Sequence, residues 1–321
     1  MGENKLSAHG SLHNILARKK RSPVVNGIFY PDNPEVITSI FASWDLDKSD
    51  FVSGGKAIIA PHGAWDLTGS ITAKAFSAIQ GKEKEAGKKS RRTGVVKTQD
   101  SISRVLLLGT HHHSREEGIF LSESASFETP LGEILVDQSM NQELASCSTM
   151  IEVNDIPHLS EHSLEVMLPF VKYCLPKTKI IPILMSGNRA VLISCLAKAL
   201  RITLEKSMNE SLIIISSSVS QAEDPALALS MADEFVSLLG KADKKSFLKG
   251  LASGVISACA GALIGALLES GLLGGSYFSS LCPLVKSSGE NRNTVYNGAF
   301  ASTEKTSSKK AASLDDTRKP V

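Results

Sequence analysis

Four short apolar runs, three of them followed by a helical pattern, set the limits on how this chain can fold. Residues 56–60, 104–108, 180–184 and 212–215 are β-branched or Leu-rich and bounded by small or polar residues. Strands buried on both faces read this way. Helical patterns span 68–80, with Thr68 at the N-cap, 190–206, and 225–239, with Pro225 in its first turn. Strands alternating with helices predict a single three-layer α/β/α domain around a mostly parallel sheet. A chain of 321 residues at 42% hydrophobic can bury that core. Residues 118–136, interrupted by Thr129-Pro130-Leu131-Gly132, read as an added hairpin.

Charge marks the margins of the domain. Net charge is +2, but residues 1–22 carry +4, residues 81–100 carry +4 and residues 301–321 carry +2, so the remainder is near −8. An acidic body with solvated basic trimmings follows: a disordered leader at 1–22, a domain over 23–300 with a mobile insertion at 81–100, and a disordered tail at 301–321. None of the basic runs contains an aromatic residue, which argues against a nucleic-acid surface. The five cysteines are scattered, with no Cys-x-x-Cys spacing, as in a reducing compartment. No apolar segment follows the first basic residues, so a cytoplasmic location is expected. Residues 250–268 are uncharged, yet rich in Ala, Gly and Ser. A helix buried inside the domain, rather than a membrane span, is the expectation there.

In such a sheet, ligands bind beyond the carboxyl ends of the strands. His62 comes two residues after the first run, His112 four after the second and Ser218 three after the fourth. Three strand ends thus bring polar side chains to one rim. A further block, Glu161-His162-Ser163-Leu164-Glu165, puts two carboxylates, an imidazole and a hydroxyl ahead of apolar Met167, Leu168 and Phe170. That spacing lays a helix face on the core and presents the polar groups at its start.

Several segments, in fixed order over roughly residues 24–300, resemble the Memo family, whose bacterial members are called AmmeMemoRadiSam system protein B. Asn26-Gly27-Ile28-Phe29-Tyr30-Pro31 is similar to the family's Ala-Gly-Ser-Phe-Tyr-Pro, and Pro61-His62-Gly63-Ala64-Trp65 to Pro-His-Ala-Gly-Tyr. Leu108-Gly109-Thr110-His111-His112-His113 stands against Gly-Pro-Ser-His-His, followed by Thr129–Asp137, the 161–170 block, and Ala258-Cys259-Ala260-Gly261 against a Cys-Gly segment. The resemblance implies a fold similar to class III extradiol dioxygenases and one metal ion, iron or copper, on His62, His112 and Cys259. Imidazole and thiolate suit such metals. No nucleotide cofactor is indicated.

Each position also has an ordinary structural explanation. His62 can satisfy a loop carbonyl, and the 111–113 histidines can form a solvated turn. Cys259 can be a small buried hydrophobe, with no neighbouring cation in sequence to lower its pKa. His162 reads as a proton donor or as an orienting residue, with Glu161 and Glu165 beside it. His113 and His158 match further family histidines, with Asp155 or Glu161 to orient His158.

Two departures bear on chemistry. Where members carry Ser-Ser-Asp-x-x-His, this chain has Ser216-Ser217-Ser218-Val219-Ser220-Gln221. Gln cannot move a proton near neutral pH, and Ser cannot replace an orienting carboxylate. Trp65 replaces a Tyr and should reshape the pocket. The expectation is a redox-capable Memo-like site with reduced or altered catalysis, or else a binding or scaffold protein using the same cleft for a small molecule or peptide. Family resemblance implies radical SAM or AMMECR1-like partners, and no membrane.

Overall fold

A computed structural model of the chain describes residues 19–46, 55–79, 101–112, 116–289 and 292–303. Its centre is an eight-stranded mixed sheet. In chain order the strands are β1 (Ala57–Ala60), β2 (Arg104–Thr110), β3 (Gly118–Leu121), β4 (Ile151–Val153), β5 (Lys179–Ser186), β6 (Ser211–Ser216), β7 (Tyr277–Ser280) and β8 (Phe300–Thr303). In space they run β7-β8-β1-β6-β2-β5-β3-β4. The four expected strands are the central β1, β6, β2 and β5, all mutually parallel. Antiparallel pairings appear only toward the edges, at β8 with β1, β7 with β8, and β3 with β5.

Alternating side chains divide the sheet into two cores. Ala57, Ile59, Leu106, Leu108, Ile213 and Ile215 pack with helices Ala190–Leu204, Pro225–Lys241 and Gly261–Ser270. Ile58, Ala60, Val105, Leu107, Leu212 and Ile214 face helices Pro34–Ser43, Trp65–Ser77 and Leu168–Cys174 on the other side. The fold is therefore α/β with three layers, as the alternation predicted.

Several boundaries need correction. The helix expected from Thr68 begins at Trp65; Thr68 lies inside its first turn and donates to Gly63 O and Ala64 O. Residues 118–136 are not one hairpin, because Gly118–Leu121 joins the main sheet and only Ser126–Phe127 pairs back with Ile134–Leu135. The uncharged run 250–268 is split between Lys244–Ala252 and Gly261–Ser270, with Gly254 at φ +75° in the break. Only a residue without Cβ adopts that conformation freely. Among the described residues, no helix is long and apolar enough to cross a membrane.

The expected termini are shorter than drawn. Lys20–Arg21 forms a strand parallel to Ser126–Phe127, and Ala301–Thr303 belongs to β8. Arg21 is 4% exposed and ion-paired to Glu165, which anchors the segment that a basic composition had marked as leader. Residues 1–18 of that leader, residues 304–321 of the tail, the 81–100 insertion and His113 lie outside the described residues.

Candidate functional site

Three adjacent parallel strands end at one place. Beyond β1 stands His62, beyond β2 His112, and between them β6 ends in Ser216, followed by Ser217 and Ser218. His162 arrives from the loop between helix Ile156–Ser160 and the turn Glu165–Met167. Each of the three histidines offers one ring nitrogen, and these nitrogens lie within 4.8 Å of one another. Their centroids are 4.9 Å (His62–His112), 5.6 Å (His62–His162) and 5.2 Å (His112–His162) apart, the last pair nearly parallel at 17°.

The ring orientations have identifiable causes. Ser216 Oγ donates to Ser163 O at 2.5 Å and sits 3.0 Å from His62 Nδ1. With its own proton committed, the hydroxyl accepts from Nδ1–H, which leaves Nε2 facing the cluster. Glu161 organises the other two. Its carboxylate accepts from His112 N (2.7 Å), His112 Nδ1 (3.0 Å) and Ser163 N (2.8 Å), and lies 3.4 Å from His162 Nδ1. Burial alone raises the pKa of Glu161, but the His112 and Ser163 bonds outweigh it and hold the carboxyl well below the usual range. Burial opposes charge on His112 too, yet its bonds to Cys259 and Glu161 raise its pKa to about 10.

Cys259 reaches the cluster from residues 253–260, the break between two helices. Thr110 Oγ1 donates to Cys259 O at 2.7 Å, and Ala260 N donates to Ser217 Oγ at 3.1 Å, pinning that loop to two strand ends. Cys259 Sγ lies 3.7 Å from His62 Nε2 and accepts from Ser218 N at 3.1 Å. Burial raises the thiol pKa, but His62, His112 and the Ser218 side chain bring it well below the ordinary value. Sequence offered no nearby cation; the fold supplies the imidazoles instead.

The remaining candidates separate. Glu165 does not face the histidines; it is buried and accepts from Arg21, Val24 N, Val25 N and Tyr30 Oη. His158 is 2% exposed, with Nε2 bonded to Phe120 O. His111 turns toward Phe120, away from the set that includes His112. Trp65 is buried among Tyr30, Phe41, Trp44 and Phe170, with its indole donating to Val166 O. Ser218 is 8% exposed and meets Cys259 through its backbone, so a carboxylate introduced there would be buried beside a thiolate. Gln221 is exposed on the short strand Ser220–Ala222, with its backbone N bonded to Ser257 Oγ.

Sequence reasoning did not single out Gly109 or the bracing role of Ser216. A Cβ on Gly109 would stand 2.5 Å from Leu164 Cδ2 and 2.6 Å from Ser163 Oγ. The close seating of the 161–165 block on the end of β2 depends on that glycine. We expect Gly109→Ala to cost about 1–3 kcal/mol through overpacking, read as a lower urea midpoint at unchanged slope. A wild-type midpoint would show that the block is free to shift.

The model of the Memo-like protein family matches residues 21–270. A MEMO1 family protein from Desulfurococcus amylolyticus is 27% identical over 266 residues, covering 78% of this chain and 87% of the relative. Another from Thermotoga neapolitana is 25% identical over 262 residues, covering 78% and 88%. Among solved structures, the uncharacterized protein JW3007 from Escherichia coli K12 aligns over 76% of this chain and 98% of its own, with TM-score 0.43 and 11% identity.

Proposed function

The chain belongs to the Memo-like protein family, and from that premise we propose that its cleft holds one iron or copper ion in a redox role. The ligands are His62, His112 and the Cys259 thiolate expected from the resemblance, and His162, expected as a proton donor or orienting residue, adds a further ring nitrogen within reach. The observation that carries this reading is the set of three ring nitrogens within 4.8 Å of one another. The donor chemistry fits, since imidazole and thiolate suit iron, copper and zinc better than hard cations. A bound iron or copper ion would supply redox and Lewis-acid chemistry at this point. The chain's own groups do the rest: Ser216 fixes the His62 tautomer, Glu161 orients His112 and His162, and the Ser218 N–H holds the Cys259 sulfur.

Metal analysis of the full-length chain, purified anaerobically without a histidine tag, should find iron or copper at one ion per chain. His62→Ala and His112→Ala should each reduce it to background. Background metal in the wild type would overturn the proposal. Ser216→Ala should weaken metal affinity by about 10–100-fold, the usual effect of removing a group that orients a ligand. Nitrogen NMR of the metal-free protein should then show His62 as a mixture of tautomers. An unchanged tautomer would remove Ser216 from this role.

A second reading, a binding or scaffold protein using the same cleft for a small molecule or peptide, is favoured by Ser218 and Gln221. Neither position offers an acid–base group, and Gln221 lies exposed beside Ser257. Family resemblance adds radical SAM or AMMECR1-like proteins as proposed partners. A folded protein that stays metal-free under anaerobic iron or copper loading would favour this reading.

A further inference from the structure

Beside Phe29 lies a cavity of about 480 Å³. Phe29 joins the two places: its ring meets His162 edge-on at 5.0 Å and also lines the cavity. The other walls include Tyr30, Trp44, Trp65, Asp66 and Ser70. Four of its lining residues are aromatic, Phe29 and Trp44 partly exposed and Tyr30 and Trp65 buried, and among the described residues Asp66 is the one charged residue of that lining.

The packing fixes the two indoles. Trp44 and Trp65 meet at 63° with centroids 5.7 Å apart, forming a corner. One face of Trp44 lies parallel to the fully buried Phe170, at 7°, and its six-membered ring presses on Gly69, where a Cβ would come within 2.2 Å of Cη2. Trp44 nevertheless keeps partial exposure, so its remaining surface opens on the cavity it lines. Asp66 is exposed in the first turn of helix Trp65–Ser77.

We propose that this cavity is a binding site for a small organic cation, a quaternary ammonium or alkylated amine, distinct from the histidine cluster. Ring faces attract such a cation through their quadrupoles, and the Asp66 carboxylate adds charge complementarity, with no lysine or arginine among the described lining residues. The volume lies within the range of small-ligand pockets. The site does not depend on metal, because none of the three clustered histidines lines it.

Trp44 and Trp65 are the chain's two tryptophans and both line this cavity, so tryptophan emission reports on it. The probe is choline, compared with dimethylbutanol, its neutral carbon isostere. In the full-length chain, choline should change tryptophan emission saturably and bind at least ~10-fold more tightly than the isostere. Asp66→Asn, an exposed change that spares the core, should abolish most of that preference. Equal binding of the two alcohols, no saturable change, or wild-type selectivity in Asp66→Asn would each overturn the assignment. Metal analysis of the same samples reads the histidine site separately.

Discussion

Replacing Arg21 with Met should destabilise the protein by about 3–5 kcal/mol, the usual cost of leaving one partner of a buried ion pair unpaired. Both side chains are nearly sealed, at 3% exposure for Arg21 and 0% for Glu165. Tyr30 Oη, Val24 N and Val25 N still donate to Glu165, but none of them brings a positive charge. Arg21 does more than neutralise. Its Nε donates to His158 O and another guanidinium nitrogen to Glu161 O. One side chain thus braces the backbone of 158–165, the segment that carries Glu161 and His162. Urea unfolding should show a lower midpoint at unchanged slope, and metal affinity should fall with it. A loss under about 1 kcal/mol would mean that Glu165 is satisfied by its neutral donors alone. Adding Glu165→Gln should then recover part of the loss, since no buried charge remains.

That brace explains why the sequence misled at its N-terminus and succeeded at the centre. Ile58, Leu106, Ile181 and Ile214 read as strands because runs buried on both faces have one simple solution, a covered parallel sheet. His62 and His112 followed from the rule that such strands deliver ligands at their carboxyl ends. Arg21 followed no such rule. Its composition matched a solvated basic segment, and only a tertiary partner 144 positions away makes it part of the core. The lowered thiol pKa of Cys259 was hidden similarly: its sequence neighbours are Ala258 and Ala260, whereas its polarising partners come from three other segments. Glu165 erred in the opposite direction. It sits four residues from Glu161, yet it points to the N-terminal strand while Glu161 points to the histidines. Distance along the chain does not specify direction where an irregular segment gives way to a single helical turn.

Acid should destabilise this protein between pH 6.5 and about 4, with His158 supplying about 3 kcal/mol of the loss. Burial is the main force lowering the His158 pKa, from 6.5 to about 4, only partly countered by the bond to Phe120 O and the charge of Asp155. Nε2–H is the donor to that carbonyl, so protonation must place a proton and a charge on Nδ1, which is buried without a hydrogen-bond partner. The sign follows directly. The unfolded chain takes up a proton as pH drops through 6.5, whereas the folded chain resists until about 4. The stability conferred by the neutral imidazole is therefore complete above 6.5 and drains away below it. Cys259 contributes a slope of the same sign wherever the pH lies between its lowered folded-state pKa and the ordinary thiol value. The diagnostic is thus a difference between two proteins. His158→Gln keeps a donor for Phe120 O but cannot ionise, so it should have a shallower acid limb whatever its stability at pH 7. Chemical denaturation at intervals across pH 4–7 would measure both curves. Parallel limbs in the two proteins would assign the acid sensitivity to groups other than His158, and leave His158 as packing alone.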